Sequence, residues 1–155
     1  MSAAQASAAT FYHVGIVTAD IEDAVEKYSN VFDLTFAPIL TSEEVRFTGA
    51  YEAEHDIRWV FSVDGPPYIE FVEGQGDGFL SAAGGDRIHH IGRWAPKDQI
   101  AAVKSRVGEV ITIDRPGLDG NNVWFADPSL FRGIWIEMID EGTRGEFEAG
   151  LASAG

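Results

Sequence analysis

Two short patterns occur twice, in the same order, and they limit the possible folds more than any other feature of the chain. Phe11-Tyr-His13-Val-Gly15-Ile is followed by Tyr68-Ile-Glu70-Phe-Val-Glu73, and Ile88-His-His90-Ile-Gly92-Arg by Trp135-Ile-Glu137-Met-Ile-Asp140. Each half opens on an apolar segment containing His-x-Gly and closes on one containing Ile-Glu, in a chain with four histidines. The period is too long for a solenoid, so the repeat predicts a duplicated unit. Between the halves, GQGDGFLSAAGGD over 74–86 is dense in glycine, which suits a connector and not the interior of an element. The expected organisation is a disordered arm at 1–10 and a single domain at 11–140, comprising module one at 11–73, a connector at 74–87 and module two at 88–140. An acidic tail at 141–155, mobile or weakly helical, follows.

Size and charge narrow the function classes. A length of 155 residues suits one domain with one core. A formal net charge of −14 argues against nucleic acid and anionic membrane as partners, since both require a basic face. Zero cysteines exclude disulfide scaffolds, thiolate zinc sites and cysteine nucleophiles. The first basic residue is Lys27, and no apolar run is long enough to span a bilayer, so a cytoplasmic location is expected. Any bound metal must then be held by histidine, carboxylate or backbone oxygen.

The coarse pattern gives each half a strand, a helix and further strands. Residues 11–18 read as a strand with His13, Gly15 and Val17 on one face. Asp20 can cap a helix carrying Ile21, Val25, Tyr28 and Phe32 at helical spacing. Strand candidates follow near 34–40, 45–51, 57–63 and 67–73, with a turn at Asp64-Gly-Pro-Pro67. The second half reads as a strand at 88–94, a helix near 97–106, and strands near 109–113, 121–126 and 133–139. The fold class expected is α+β, two βαβββ modules forming a cupped mixed sheet.

Strand parity can turn His13, Glu70, His90 and Glu137 to the same side of such a sheet. If a two-fold-like rotation relates the halves, the two His/Glu pairs meet. Two imidazoles and two carboxylates suit one divalent ion such as Co, Ni, Zn, Mn or Fe. Any one of these residues alone would more commonly be a core histidine or a solvated carboxylate, and it is the paired repeat that favours convergence. Parity also sends His89 to the opposite face from His90, where packing or exposure is its expected role.

These motifs resemble the vicinal oxygen chelate superfamily of glyoxalases, bleomycin-resistance proteins and dioxygenases. The resemblance covers nearly all of residues 11–140, and His13, Glu70, His90 and Glu137 match its metal-ligand positions. The run His13-Val-Gly-Ile-Val-Thr-Ala-Asp20, with Tyr28 and Val31-Phe-Asp-Leu34, is similar to that family's first strand and helix. The methylmalonyl-CoA epimerase-like branch is the best local match, through Arg115-Pro-Gly117, Gly120, Val123-Trp-Phe125, Pro128 and Gly133-Ile-Trp-Ile-Glu137. That branch implies a second carboxylate near the metal, acting as a proton-transfer base, at the position of Glu54. The competing reading of Glu54 is a solvated member of the acidic series Glu52, Glu54, Asp56. Three departures weaken a coenzyme A assignment. Glutamate stands at Glu70 where the branch has glutamine, and Asp127-Pro-Ser-Leu-Phe-Arg132 replaces a lysine/serine segment. The −14 charge disfavours a polyanion unless Arg93, Arg115 or Arg132 forms a local positive pocket.

The resemblance implies an enzyme acting on a small carbonyl or thioester compound by proton abstraction and a metal-stabilised enediolate, an epimerase/isomerase or a glyoxalase-type lyase. Glu54 and Glu137 are the expected catalytic carboxylates, with Glu70 a further candidate base, and the family's habit predicts a homodimer. Trp59, Phe61, Trp124, Phe125 and Trp135 are candidate apolar wall residues that would raise the base's pKa. Two alternatives remain: an extradiol-type ring-cleaving dioxygenase, against which Glu70 counts as a fourth ligand, and a non-catalytic drug-binding resistance protein. An intact ligand set disfavours the latter, because buried carboxylates without a cation cost stability.

Overall fold

In a computed structural model, residues 11–107, 110–114, 123–126 and 133–155 are described. Module one runs β1 (Phe11–Thr18), α1 (Ile21–Phe32), β2 (Leu40–Gly49), β3 (Ala53–Phe61) and β4 (Tyr68–Glu73). Module two repeats the order as β5 (Arg87–Ala95), α2 (Lys97–Val107), β6 (Val110–Asp114), β7 (Val123–Ala126) and β8 (Trp135–Asp140). The fold is the duplicated α+β arrangement that the repeat predicts, with the sheet curled until it closes. Its strand order is β1-β4-β3-β2-β6-β7-β8-β5, a barrel. Two antiparallel seams join the modules, β1 to β5 and β2 to β6, whereas β1–β4 and β5–β8 are parallel.

Each helix covers the outer face of its own module. Asp20 caps α1 by accepting from the Asp23 amide at 2.9 Å, which satisfies one of the first-turn N–H groups. Ile21 and Ala24 bury against Ile16, Val60 and Phe71. The spacing overreaches at the end of α1, where Phe32 stays 61% exposed. On the other module Ile100 of α2 packs with Ala95 and Met138.

Three sequence expectations change. The segment near 34–40 makes one bridge, Phe36 to Ser62, instead of a strand, and Pro38 in its middle has no N–H to donate to a ladder. The strand then starts at Leu40, earlier than the apolar pattern suggests, because Thr41-Ser-Glu-Glu44 is polar and the ladder shifts register between Ser42 and Val45. Of the two expectations for residues 141–155, the helical one is what forms: a 3-10 turn at Glu141–Thr143 leads into helix α3 (Arg144–Ala154), whose Leu151 is buried. Phe147 of α3 sits among the rings of Phe61, Tyr12, Tyr68 and Trp94, at centroid distances of 4.9, 5.4, 5.6 and 5.6 Å. The arm at 1–10 lies outside the described residues.

Candidate metal centre

The seam between β1 and β5 explains why each motif needs a glycine two residues after its histidine. In the ladder His13 stands opposite Gly92, and Gly15 opposite His90. A Cβ on Gly92 would lie 1.9 Å from the His13 ring, and one on Gly15 would lie 2.0 Å from the His90 ring. Each module's glycine is therefore the notch that admits the other module's imidazole. The carboxylates arrive on the flanking parallel strands, since Glu70 is in register with Gly15 and Glu137 with Gly92.

His13, Glu70, His90 and Glu137 all come together on the inner face of the barrel. One donor atom from each lies within 4.8 Å of the others, and they form the one such cluster among the described residues that could hold a metal ion. The four residues are between 1% and 8% exposed. The two Nε2 atoms are 3.0 Å apart, His90 Nε2 is 2.8 Å from Glu70 Oε2, and His13 Nε2 is 2.9 Å from Glu137 Oε2. That last contact pairs the His13 ring with the Glu137 carboxylate, and on its other side His13 Nδ1 has no hydrogen-bond partner among the described residues. The four donors thus crowd round a shared centre. Two imidazole nitrogens with two carboxylates, in a cradle that a single Cβ would fill, fit a first-row divalent cation.

Electrostatics agree with that charge demand. Burial works against a charged His13, but the negative charges of Glu137 and Glu70 outweigh it and raise its pKa from 6.5 to about 9. Burial likewise opposes a charged Glu70, yet hydrogen bonds from His13 and His90 hold its carboxyl well below the usual range. The cluster thus favours positive charge at its middle, supplied by protons when no metal is bound.

Parity misplaces His89. Between Gly15 and Ile16 the β1–β5 ladder skips a residue of β5, so His89 is the extra residue of a β-bulge and turns inward beside His90. It is fully buried. Its Nε2 lies 2.9 Å from the Phe79 carbonyl, and its Nδ1 lies 2.9 Å from His90 Nδ1. The carbonyl can only accept, so Nε2 carries the His89 proton, and burial together with nearby His90 pushes the His89 pKa down to about 3. His89 Nδ1 therefore accepts from His90 Nδ1–H, leaving His90 Nε2 to face the cluster. Phe79 belongs to the connector, which gives that segment a part in the site. A second bulge, at Tyr12, mirrors the first: Phe11 pairs with Arg93 and His13 with Gly92.

Glu54 is not brought to the cluster. On β3 the inward positions are Ala53, His55, Ile57, Trp59 and Phe61, so Glu54 points outward, where it is exposed and 3.4 Å from Arg46. The solvated reading of the acidic series is the correct one there. Trp59 and Phe61 line a chamber of about 300 Å³ that reaches Glu70, His90 and Glu137. Trp135 instead packs against Phe79 and His89. The side chains of Trp124 and Phe125, and residues Arg115, Gly117, Gly120, Pro128 and Arg132, lie outside the described residues. Arg93 is on β5, is not among the chamber's lining residues, and stacks toward Phe11 at 6.0 Å. The residues that sequence reasoning missed are His89, Phe79 and Phe147. For His89 the adjacent histidine pair was the available signal, and only the bulge decides its direction.

A family model of the glyoxalase/bleomycin resistance protein/dioxygenase superfamily matches residues 12–122, and the chain belongs to that superfamily. Solved structures share the fold at low identity. Methylmalonyl-CoA epimerase from Mycobacterium tuberculosis is 19% identical over 84% of this chain and 86% of its own, with a TM-score of 0.56. A variant Streptomyces coelicolor methylmalonyl-CoA epimerase in complex with 2-nitronate-propionyl-CoA is 16% identical over 85% and 96%, with a TM-score of 0.61. A hypothetical protein from Bacillus halodurans is 24% identical over 86% and 95%, with a TM-score of 0.56. No curated protein sequence matches the chain. Among the described residues no helix is long and apolar enough to cross a membrane.

Proposed function

We propose that the protein is a divalent-metal-dependent isomerase that moves a proton next to a carbonyl group. The observation that carries this reading is the buried His13–Glu70–His90–Glu137 cluster, open on one side to a chamber of substrate size. When bound, a divalent ion supplies Lewis-acid stabilisation of the negative charge that develops on substrate oxygens. His13, Glu70, His90 and Glu137 would hold it, the two imidazoles turning Nε2 to the centre, and His89 orients His90.

The proton-transfer base we assign is Glu137. Glu70 Oε2 accepts from His90 at 2.8 Å and lies 3.3 Å from His13, which together depress its basicity, whereas Glu137 Oε2 meets only His13 at close range among the described residues, at 2.9 Å. With Glu54 on the outer face, the two-base epimerisation scheme loses its expected second carboxylate. One carboxylate that takes a proton and returns it to the neighbouring carbon suits a glyoxalase-type shift. Epimerisation then requires Glu70 as the opposing base. The membership in a superfamily that includes enzymes supports a catalytic reading without selecting the reaction. A homodimer in the cytoplasm remains the assembly and location we propose, checked by light scattering and by imaging of the tagged full chain.

The test combines metal analysis with proton exchange. Protein stripped by chelator and reloaded with Co, Ni, Mn or Zn is offered 2-oxo, thioester and α-hydroxycarbonyl compounds in deuterated water. Metal-dependent deuterium incorporation at the α-carbon is expected, and it is lost in Glu137→Gln. Incorporation that survives metal removal would overturn the proposal.

A further inference from the structure

We infer that the substrate is an uncharged carbonyl compound with an aliphatic or aromatic body, whose oxygens meet the four-residue cluster while its body fills the adjoining chamber. The inference rests on the proposed function and specifies its substrate class. Its first support is how the chamber divides its chemistry. Glu70, His90 and Glu137 gather polar atoms at one place, and apart from Tyr12, Thr143 and Glu146 the remaining wall is apolar, with Leu40, Ile57, Trp59, Ile113 and Ile139 among its residues. Several of these keep surface uncovered: Trp59, Ile113 and Ile139 pack against the core yet are only partly buried, and Leu40 is 52% exposed. Apolar surface left open beside a buried polar cluster gains by covering itself with a ligand of the same character.

The second support is charge. No lysine or arginine lines the chamber among the described residues, while Glu70, Glu137 and Glu146 all do. An anionic body would lose its water there and meet like charges, with no lysine or arginine among the described lining residues to compensate away from the metal end. A coenzyme A ester, such as one neighbour's structure contains, would find no lysine or arginine for its phosphates among the described residues of this wall. The third support is enclosure. The turn at Glu141–Thr143 contributes Thr143 to the lining and helix α3 contributes Glu146 and Phe147, and Phe147 is fixed by four aromatic rings of the barrel. At about 300 Å³ the chamber lies at the small end of ligand sites, matched to a compact body.

Hydroxamates test this directly, because their two adjacent oxygens chelate a metal while the attached body is varied. The full chain is loaded with Co(II), with uptake read first from the cobalt absorption bands. Calorimetric titration then compares acetohydroxamate, hexanohydroxamate, benzohydroxamate and a chain of hexanohydroxamate's length ending in carboxylate. Each added methylene that finds the wall should tighten binding about threefold to fourfold. Hexanohydroxamate and benzohydroxamate should therefore bind at least about tenfold more tightly than acetohydroxamate, and the carboxylate-ended chain at least about tenfold more weakly than hexanohydroxamate. Millimolar coenzyme A should leave these affinities unchanged. Trp59→Ala, or the smaller change Ile113→Ala, should erase much of the gain from the body and leave acetohydroxamate binding intact. Equal affinities for all bodies, preference for the carboxylate, or competition by coenzyme A would overturn the inference with cobalt still bound. Failure to take up cobalt would overturn the proposed function itself, and the inference with it.

Discussion

In module one the residue before the cluster histidine is Tyr12, and in module two it is His89. Both sit at a bulge of the shared β1–β5 seam, and both are turned inward and buried. Their work differs. Tyr12 stacks on Trp94 at 4.1 Å and meets His13 edge-on at 4.4 Å, and His13 Nδ1 has no hydrogen-bond partner among the described residues. His89 instead ties His90 Nδ1 to the backbone of the connector. One imidazole is held by ring packing and charge, the other by a directional relay. A duplicated frame can thus present equivalent donors while supporting them by different physics, and the two supports should fail in different ways.

The largest effect is expected where the modules depend on each other. Gly15→Ala and Gly92→Ala each drive a Cβ into the opposite module's imidazole, so both should abolish stoichiometric cobalt binding, as His90→Ala and His13→Ala should. Retention of cobalt by either glycine variant, measured by metal analysis after gel filtration, would break the reciprocity. Next comes the asymmetry. His89→Ala should lower metal affinity about 10–100-fold, the usual cost of losing a partner that orients a ligand. Tyr12→Phe keeps the ring contacts and should change affinity by less than about threefold. Competition titration against a chromogenic chelator reads both, and equal losses would remove the distinction between the two supports.

A smaller effect concerns pH in the metal-free protein. His13 is raised from 6.5 to about 9, so its contribution to stability is full below pH 6.5 and is lost as pH rises to about 9. Glu70 is depressed from 4.5, so its contribution is present above pH 4.5 and fades as pH falls below it. His89, lowered from 6.5 to about 3, withdraws stability as pH falls below 6.5, so metal-free protein should melt highest near pH 6.5, and His13→Gln should flatten the alkaline limb. A melting temperature still climbing from pH 6.5 to 9 would contradict the charge arrangement. The smallest effect is at Glu54→Gln, which should leave metal binding and proton exchange unchanged and shift stability by no more than about 0.5 kcal/mol.

The repeat made much of this arrangement legible. His-x-Gly and Ile-Glu, twice in order, are enough to pair the strands and to bring four donors together, because strand parity is a local rule. Parity stops being local at a bulge, and His89 was lost for that reason: one skipped residue reverses a side chain without leaving a trace in composition. Glu54 failed differently. Its position was counted along the chain from Glu70 by likeness to a family branch, and such a count cannot sense which side of β3 a residue occupies. Helix α3 was half-legible. Its acidic, alanine- and glycine-rich sequence carries little apolar period, and the seating of Phe147 depends on aromatic partners contributed by β1, β3, β4 and β5.

The exchange of notch and imidazole across the seam also governs how this centre can change over generations. A bulkier residue at Gly15 is felt first by His90, and one at Gly92 by His13, so the partners in each exchange lie in opposite halves of the gene. A recombination that swaps one half for a foreign copy can keep the centre only if the newcomer brings both a ring and a gap in the same ladder register. Inheritance therefore acts on the pair, and neither half can drift toward a new ligand alone.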